Sequence, residues 1–132
     1  QTRLKTPEAF QNTFVRWQKE RAWEIFNELF EECWIHFKNY FPKYEKPVLS
    51  LRTMKSRWGS LSQSTKSKSS RLTLNTLLVC SNNSCIKQVI YHELCHLIYP
   101  NHGKDFYEIF EFFVPDWKIL KNELEYLFVA KN

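Results

Sequence analysis

From residue 7 to about residue 41, bulky apolar residues recur every three or four positions: Phe10, Phe14 and Trp17, then Phe26, Phe30, Cys33, Phe37 and Tyr40. That spacing predicts one helix, or two with a break near Arg21. A stripe this long and this aromatic needs a second layer to cover it. Thr6 suits the N-cap, Pro7 the first helical position and Glu8 the first turn. Arg16, Lys19, Glu20, Glu24, Glu28 and Glu31 fall mostly on the outer face. His36 stands alone in this segment and reads as a packing residue.

The covering layer must come from the residues beyond Pro42 and Pro47. Residues 47–54 alternate as a strand does, with Val48, Leu49, Leu51 and Met54 as core candidates. Residues 55–63 predict a second strand, in which Gly59 marks a bulge or a close approach. Residues 64–70 predict a polar, floppy tip carrying Lys66 and Lys68, and alternation resumes at Leu72 and Leu74. The expectation is a small antiparallel meander over residues 47–79. A helix then begins near Ser81, Asn82, Asn83 or Ser84, buries Ile86, Val89, Ile90, Leu94 and Leu97, and stops at Pro100. Residues 104–113 predict a short helix ended by Pro115. A last helix starts after Asp116, with Trp117, Leu120, Leu124 and Leu127 facing inward. No repeat or linker divides the chain, so the expectation is one α+β domain over residues 1–132: a helical part (1–46), the meander (47–79) and the remaining helices (80–132).

A chain of 132 residues can bury roughly two-thirds of its unfolded surface without disulfides. The net charge of +5 fits a solvated basic surface better than a nucleic-acid footprint. Cys33, Cys80, Cys85 and Cys95 form no C-x-x-C pair and sit among apolar residues, as reduced core thiols do. No signal peptide opens the chain, and no apolar run approaches the ~20 residues that span a bilayer. These features point to a reduced, cytoplasmic protein. The chain opens on Gln1 rather than Met, which fits a fragment or a trimmed chain and leaves a lost targeting segment open.

Chemistry concentrates at residues 91–106, YHELCHLIYPNHGKDF. Residues four apart on a helix share a face, so His92 and His96 can present ring nitrogens to one ion. Glu93 is turned ~100° from His92, outside the ligand set yet near a metal-bound water, where a general base belongs. A catalytic zinc takes three protein ligands. His102 is the candidate for the third, returned toward the metal by a turn in which Gly103 supplies backbone freedom. Glu108 or Glu123 from a later helix is the alternative. The metzincin pattern has the same histidine spacing but Gly where this chain has Tyr99, so the turn differs. Cys95 points away from the histidine face and reads as a core residue.

Taken together, residues 54–60 (MKSRWGS), 72–75 (LTLN), 92–97 (HELCHL), 101–106 (NHGKDF) and 115–117 (PDW) resemble the motifs of the YgjP-like metal-dependent hydrolases. These are minimal zincins related to the WLM and SprT-like proteases. The resemblance spans roughly residues 15–127, with Leu61 where the family often has Cys, Tyr107 where it has Trp, and a shorter N-terminus. It implies a zincin-like α+β fold, His92, His96 and His102 as Zn2+ ligands, and Glu93 as the catalytic glutamate.

The expected reaction is zinc-assisted hydrolysis of a peptide bond. Tyr91, Tyr99, Tyr107 or Arg57 would supply a further donor to the developing oxyanion. An exposed edge strand, with residues 71–75 as the candidate, would pair with an extended protein or peptide substrate. Trp58 and Gly59 either line that cleft or serve only packing. Lys66, Lys68 and Arg71 would contact DNA in a SprT-like, DNA-associated protease, though they suit a solvated loop better. A zinc-binding association module without turnover is the competing class, and a zinc hydrolase with a non-peptide substrate is a third.

Overall fold

The computed structural model describes residues 7–64 and 69–131, with side chains for 16–17, 19–64 and 69–127. Helix α1 (Pro7–Tyr40) runs through Arg21 without a break. No Gly or Pro occurs within residues 8–41, so nothing there interrupts the hydrogen-bond ladder. Thr6 and the side chains of Glu8, Phe10 and Phe14 lie outside the described residues. Ala22, Phe26, Leu29, Phe30, Cys33, Trp34 and Phe37 make the buried stripe, whereas Trp17 and Tyr40 are half-exposed. Outside that stripe Trp23 and Ile35 are exposed among polar side chains, and Glu31 and Glu32 pair with Lys46 and Lys87.

Strands β1 (Val48–Arg52), β2 (Gly59–Gln63) and β3 (Ser70–Asn75) form a mixed sheet rather than an antiparallel meander. β3 lies in the middle, antiparallel to β2 and parallel to β1. Residues 53–58 make this order possible by crossing over the end of β3. The buried Asn75 side chain donates to the carbonyls of Met54 and Arg57, both at 2.9 Å. The Asn75 amide donates to Trp58 O at 2.8 Å, and the Thr53 and Thr76 hydroxyls bond at 2.6 Å. With the connection held there, β3 can enter between β1 and β2. Val48 faces out, Leu49 is buried, and Leu51 and Met54 are half-buried. Ser70 belongs to the buried part of β3, not to the loop. After Asn75 the strand gives way to a 3-10 turn, Thr76–Cys80. Lys66 and Lys68 lie outside the described residues, and next to them Ser64 N donates to Ser69 O at 3.2 Å.

Helix α2 (Asn83–Cys95) is capped by Asn82, whose side chain accepts from Cys85 N at 2.8 Å. A cap of this kind contributes about 1 kcal/mol. α2 is more than amphipathic: it packs against α1, β2, β3, α3 (Lys104–Phe113) and α4 (Trp117–Lys131), and is buried nearly all round. Leu120 and Leu124 of α4 face inward as expected, Trp117 is half-buried and Leu127 is exposed. No described helix is long and apolar enough to cross a membrane. Of the cysteines, Cys33, Cys85 and Cys95 are buried and free, and Cys80 is free but exposed.

Gly59 is where β2 meets α2, and close approach explains it better than a bulge. A Cβ there would lie 2.8 Å from Val89 Cγ1 and 3.2 Å from Glu93 Cγ. Val89 is β-branched and stiff on a helix, so it cannot swing aside cheaply. Gly59→Ala is expected to cost about 1–3 kcal/mol by overpacking, measured as a lower denaturation midpoint. An unchanged midpoint would show that the strand and helix can separate freely.

Candidate metal centre

The last turn of α2 carries His92, and His96 sits at its C-cap with φ −70° and ψ −13°. The helix tightens there: His96 N donates to Glu93 O and Leu97 N to Leu94 O, both at 3.0 Å. The regular helix therefore ends earlier than Pro100 alone would predict. His102 arrives from the segment before α3. One nitrogen from each of His92, His96 and His102 lies within 4.8 Å of the others. Phe106, fully buried on α3, packs its ring against all three imidazoles at centroid distances of 5.2, 4.7 and 4.9 Å. It supports the cluster from the core side, a role that its sequence position alone did not reveal.

Hydrogen bonds set the tautomers of two rings. A peptide carbonyl only accepts, so His96 Nδ1 donates to Tyr99 O at 3.0 Å and leaves Nε2 with its lone pair. His92 Nδ1 lies 2.9 Å from Glu93 Oε2, and a carboxylate likewise only accepts. His96 Nε2 and His102 Nε2 are 3.0 Å apart, so His102 donates the shared proton, for which a metal ion competes. Burial, then the neighbouring His92 and His96 rings, hold the His102 imidazole below its ordinary pKa. That favours the neutral form a metal requires. Three imidazoles, two of them (His92 and His96) with an N–H tied to oxygen, suit zinc by donor type and outer support.

Glu93 is buried and stays out of the nitrogen cluster. It lines two hollows that meet at His92 and Glu93. One is a cleft of about 530 Å³ that includes Arg57, Trp58, Gln88, Tyr107 and Trp117. The other is a groove of about 490 Å³ bounded by Gly59, Ser60, Leu61 and Gln63 of β2, with His96, Pro100 and His102 opposite. Trp58 and Gly59 therefore line the site as well as pack. The strand beside the site is β2: the expected edge, residues 71–75, lies in β3 and is paired on both sides.

Of the proposed oxyanion donors, Arg57 and Tyr107 line the hollows. Tyr91 turns to the other side of α2, where its hydroxyl meets His36 Nδ1 at 3.0 Å and its ring stacks on Phe113. Burial raises its phenol above the ordinary range. Tyr99 acts through its carbonyl, on His96.

The alternative third ligands do not reach the histidines. Glu123 sits at the opposite end of α2, accepting from Cys85 Sγ at 3.3 Å and Asn82 Nδ2 at 3.4 Å. Glu108 is exposed on α3 and outside the cluster. Cys95 is fully buried, and burial pushes its thiol up to about 12, which leaves it inert as nucleophile or ligand. The role expected of Gly103 is corrected: its φ is −90° and ψ −171°, an extended backbone any residue adopts, and a Cβ would meet nothing within 4 Å. His102 is delivered by the start of α3 rather than by a glycine turn.

The fold is similar to that of two archaeal metallopeptidase zymogens. Pyrococcus abyssi abylysin aligns with a TM-score of 0.57 at 18% identity, covering 75% of this chain and 90% of that one. Methanocaldococcus jannaschii jannalysin aligns with a TM-score of 0.50 at 23% identity, covering 83% of this chain and 95% of that one. Both support a zincin-like α+β fold. No curated protein sequence matches the chain. The YgjP-like metallopeptidase domain model matches residues 1–127. With that match over nearly its whole length, the chain belongs to the YgjP-like metallopeptidases, hydrolases that act on peptide bonds with a metal ion.

Proposed function

We propose that the whole chain acts as one domain, a zinc-dependent peptidase in which His92, His96 and His102 hold the ion and Glu93 is the general base. The observation that carries this reading is the set of three imidazole nitrogens within 4.8 Å of one another, next to a buried carboxylate. Zinc, when bound, polarises a carbonyl and acidifies water. Glu93 takes the proton of the attacking water and returns it to the leaving amine. His92 Nδ1–H orients the Glu93 carboxylate for this exchange. Arg57 and Tyr107, which line the cleft, donate to the oxyanion as charge develops. The outer edge of β2 has no strand partner among the described residues and borders the groove. An extended peptide added there gains main-chain hydrogen bonds and crosses the histidine cluster.

Metal removal tests this reading. Purified protein given a peptide library is expected to cleave it, to lose cleavage after chelation, and to recover with stoichiometric zinc. Cleavage that survives complete metal removal would sink the proposal, as would its absence from the zinc-loaded protein.

A further inference from the structure

The cleft beside Glu93 contains a polar group that the hydrolytic machinery does not use. Gln88 lines it, is only 5% exposed, and has a buried Oε1 without a hydrogen-bond partner. Buried acceptors are normally satisfied, because an unpaired one has lost its water without replacement. Gln88 precedes His92 by four residues on α2, so it lies on the same face about 6 Å along the axis. A substrate residue next to the scissile bond reaches that depth only with a long side chain.

The rest of the cleft defines the occupant. Trp58, Tyr107, Trp117, Val89 and Leu124 give it flat, apolar walls. Tyr107 and Trp117 stack at 5.2 Å and 24°, which holds that wall planar. A phenylalanine would fit such walls but leave Oε1 unpaired. A lysine or arginine would have to shed its hydration between these apolar walls to meet a neutral carbonyl, and Arg57 and Lys121 balance Glu93 and Glu125 in the cleft lining, so no net negative charge draws a cation in. We infer that Gln88 is a specificity-determining residue, selecting an aromatic substrate side chain that ends in a hydrogen-bond donor, tyrosine or tryptophan, over phenylalanine. The inference rests on the peptidase reading, because it places that side chain beside a scissile bond.

Binding and turnover separate the two ideas. Zinc-loaded protein is titrated with N-acetyl-tyrosinamide and N-acetyl-phenylalaninamide, following the indole N–H resonances of Trp58 and Trp117 by NMR. The tyrosine compound is expected to bind about tenfold more tightly, the effect of one satisfied buried acceptor. Gln88→Leu is expected to bring that ratio close to one, and Gln88→Met repeats the measurement should the leucine variant misfold. Equal affinities in the native protein, a ratio that survives both substitutions, or no binding of either compound would overturn the inference. Peptide turnover is scored separately on the same protein. Turnover with a flat tyrosine-to-phenylalanine ratio removes only the subsite. An intact ratio without turnover supports the subsite and removes the peptidase reading.

Discussion

Glu93→Gln is expected to keep its zinc and lose peptide hydrolysis by roughly 10²–10⁴-fold in kcat, the range that general acid–base catalysis contributes. Glutamine has the same shape, and its amide oxygen can still accept from His92 Nδ1, now 2.9 Å from Glu93 Oε2. The tautomer of His92, and with it the metal, should therefore survive. What the amide cannot do is take a proton from water near neutral pH. Metal content by atomic emission and kcat on one fixed peptide, measured on the same preparation, test both halves. Activity within a few fold of the native protein would remove Glu93 as the base. Loss of zinc in this variant would mean that Glu93 acts mainly by positioning His92.

The second large effect is expected at His102. His102→Ala removes one of the three nitrogens in the cluster. Zinc affinity should fall by more than the 10–100-fold that loss of an outer-shell partner costs, and turnover should fall with it. The adjacent Gly103→Ala is the control. Its backbone is extended and its Cβ would meet open space, so zinc should stay bound. Competition against a fluorescent zinc chelator measures both. Full zinc affinity in His102→Ala would exclude it as the third ligand, and the search would return to other side chains near the cluster.

Much of this centre is legible in the sequence. Helical period alone puts His92 and His96 on one face and turns Glu93 away. Period and flanking prolines place α1 and α3, because both signals are local in the chain. Strand order is not local. Alternation reports which face a residue occupies, not which strand lies beside it. The antiparallel expectation failed there, and with it the choice of residues 71–75 as the free edge. The deciding contacts are Asn75 to Met54 and Arg57, 18 to 21 residues apart in sequence.

The cluster itself divides the same way. Sequence spacing determined that two histidines and a glutamate share the end of one helix, because helix geometry is set by neighbours three and four residues away. It also determined that Gly59 matters without saying how. Tertiary structure decided that His102 completes the cluster rather than Glu108 or Glu123, that Phe106 supports it, that β2 borders it, and that Gln88 is left unpaired in the cleft wall. Each depends on how α2, α3 and the sheet pack against one another, a long-range balance of burial and hydrogen bonding that no local pattern encodes.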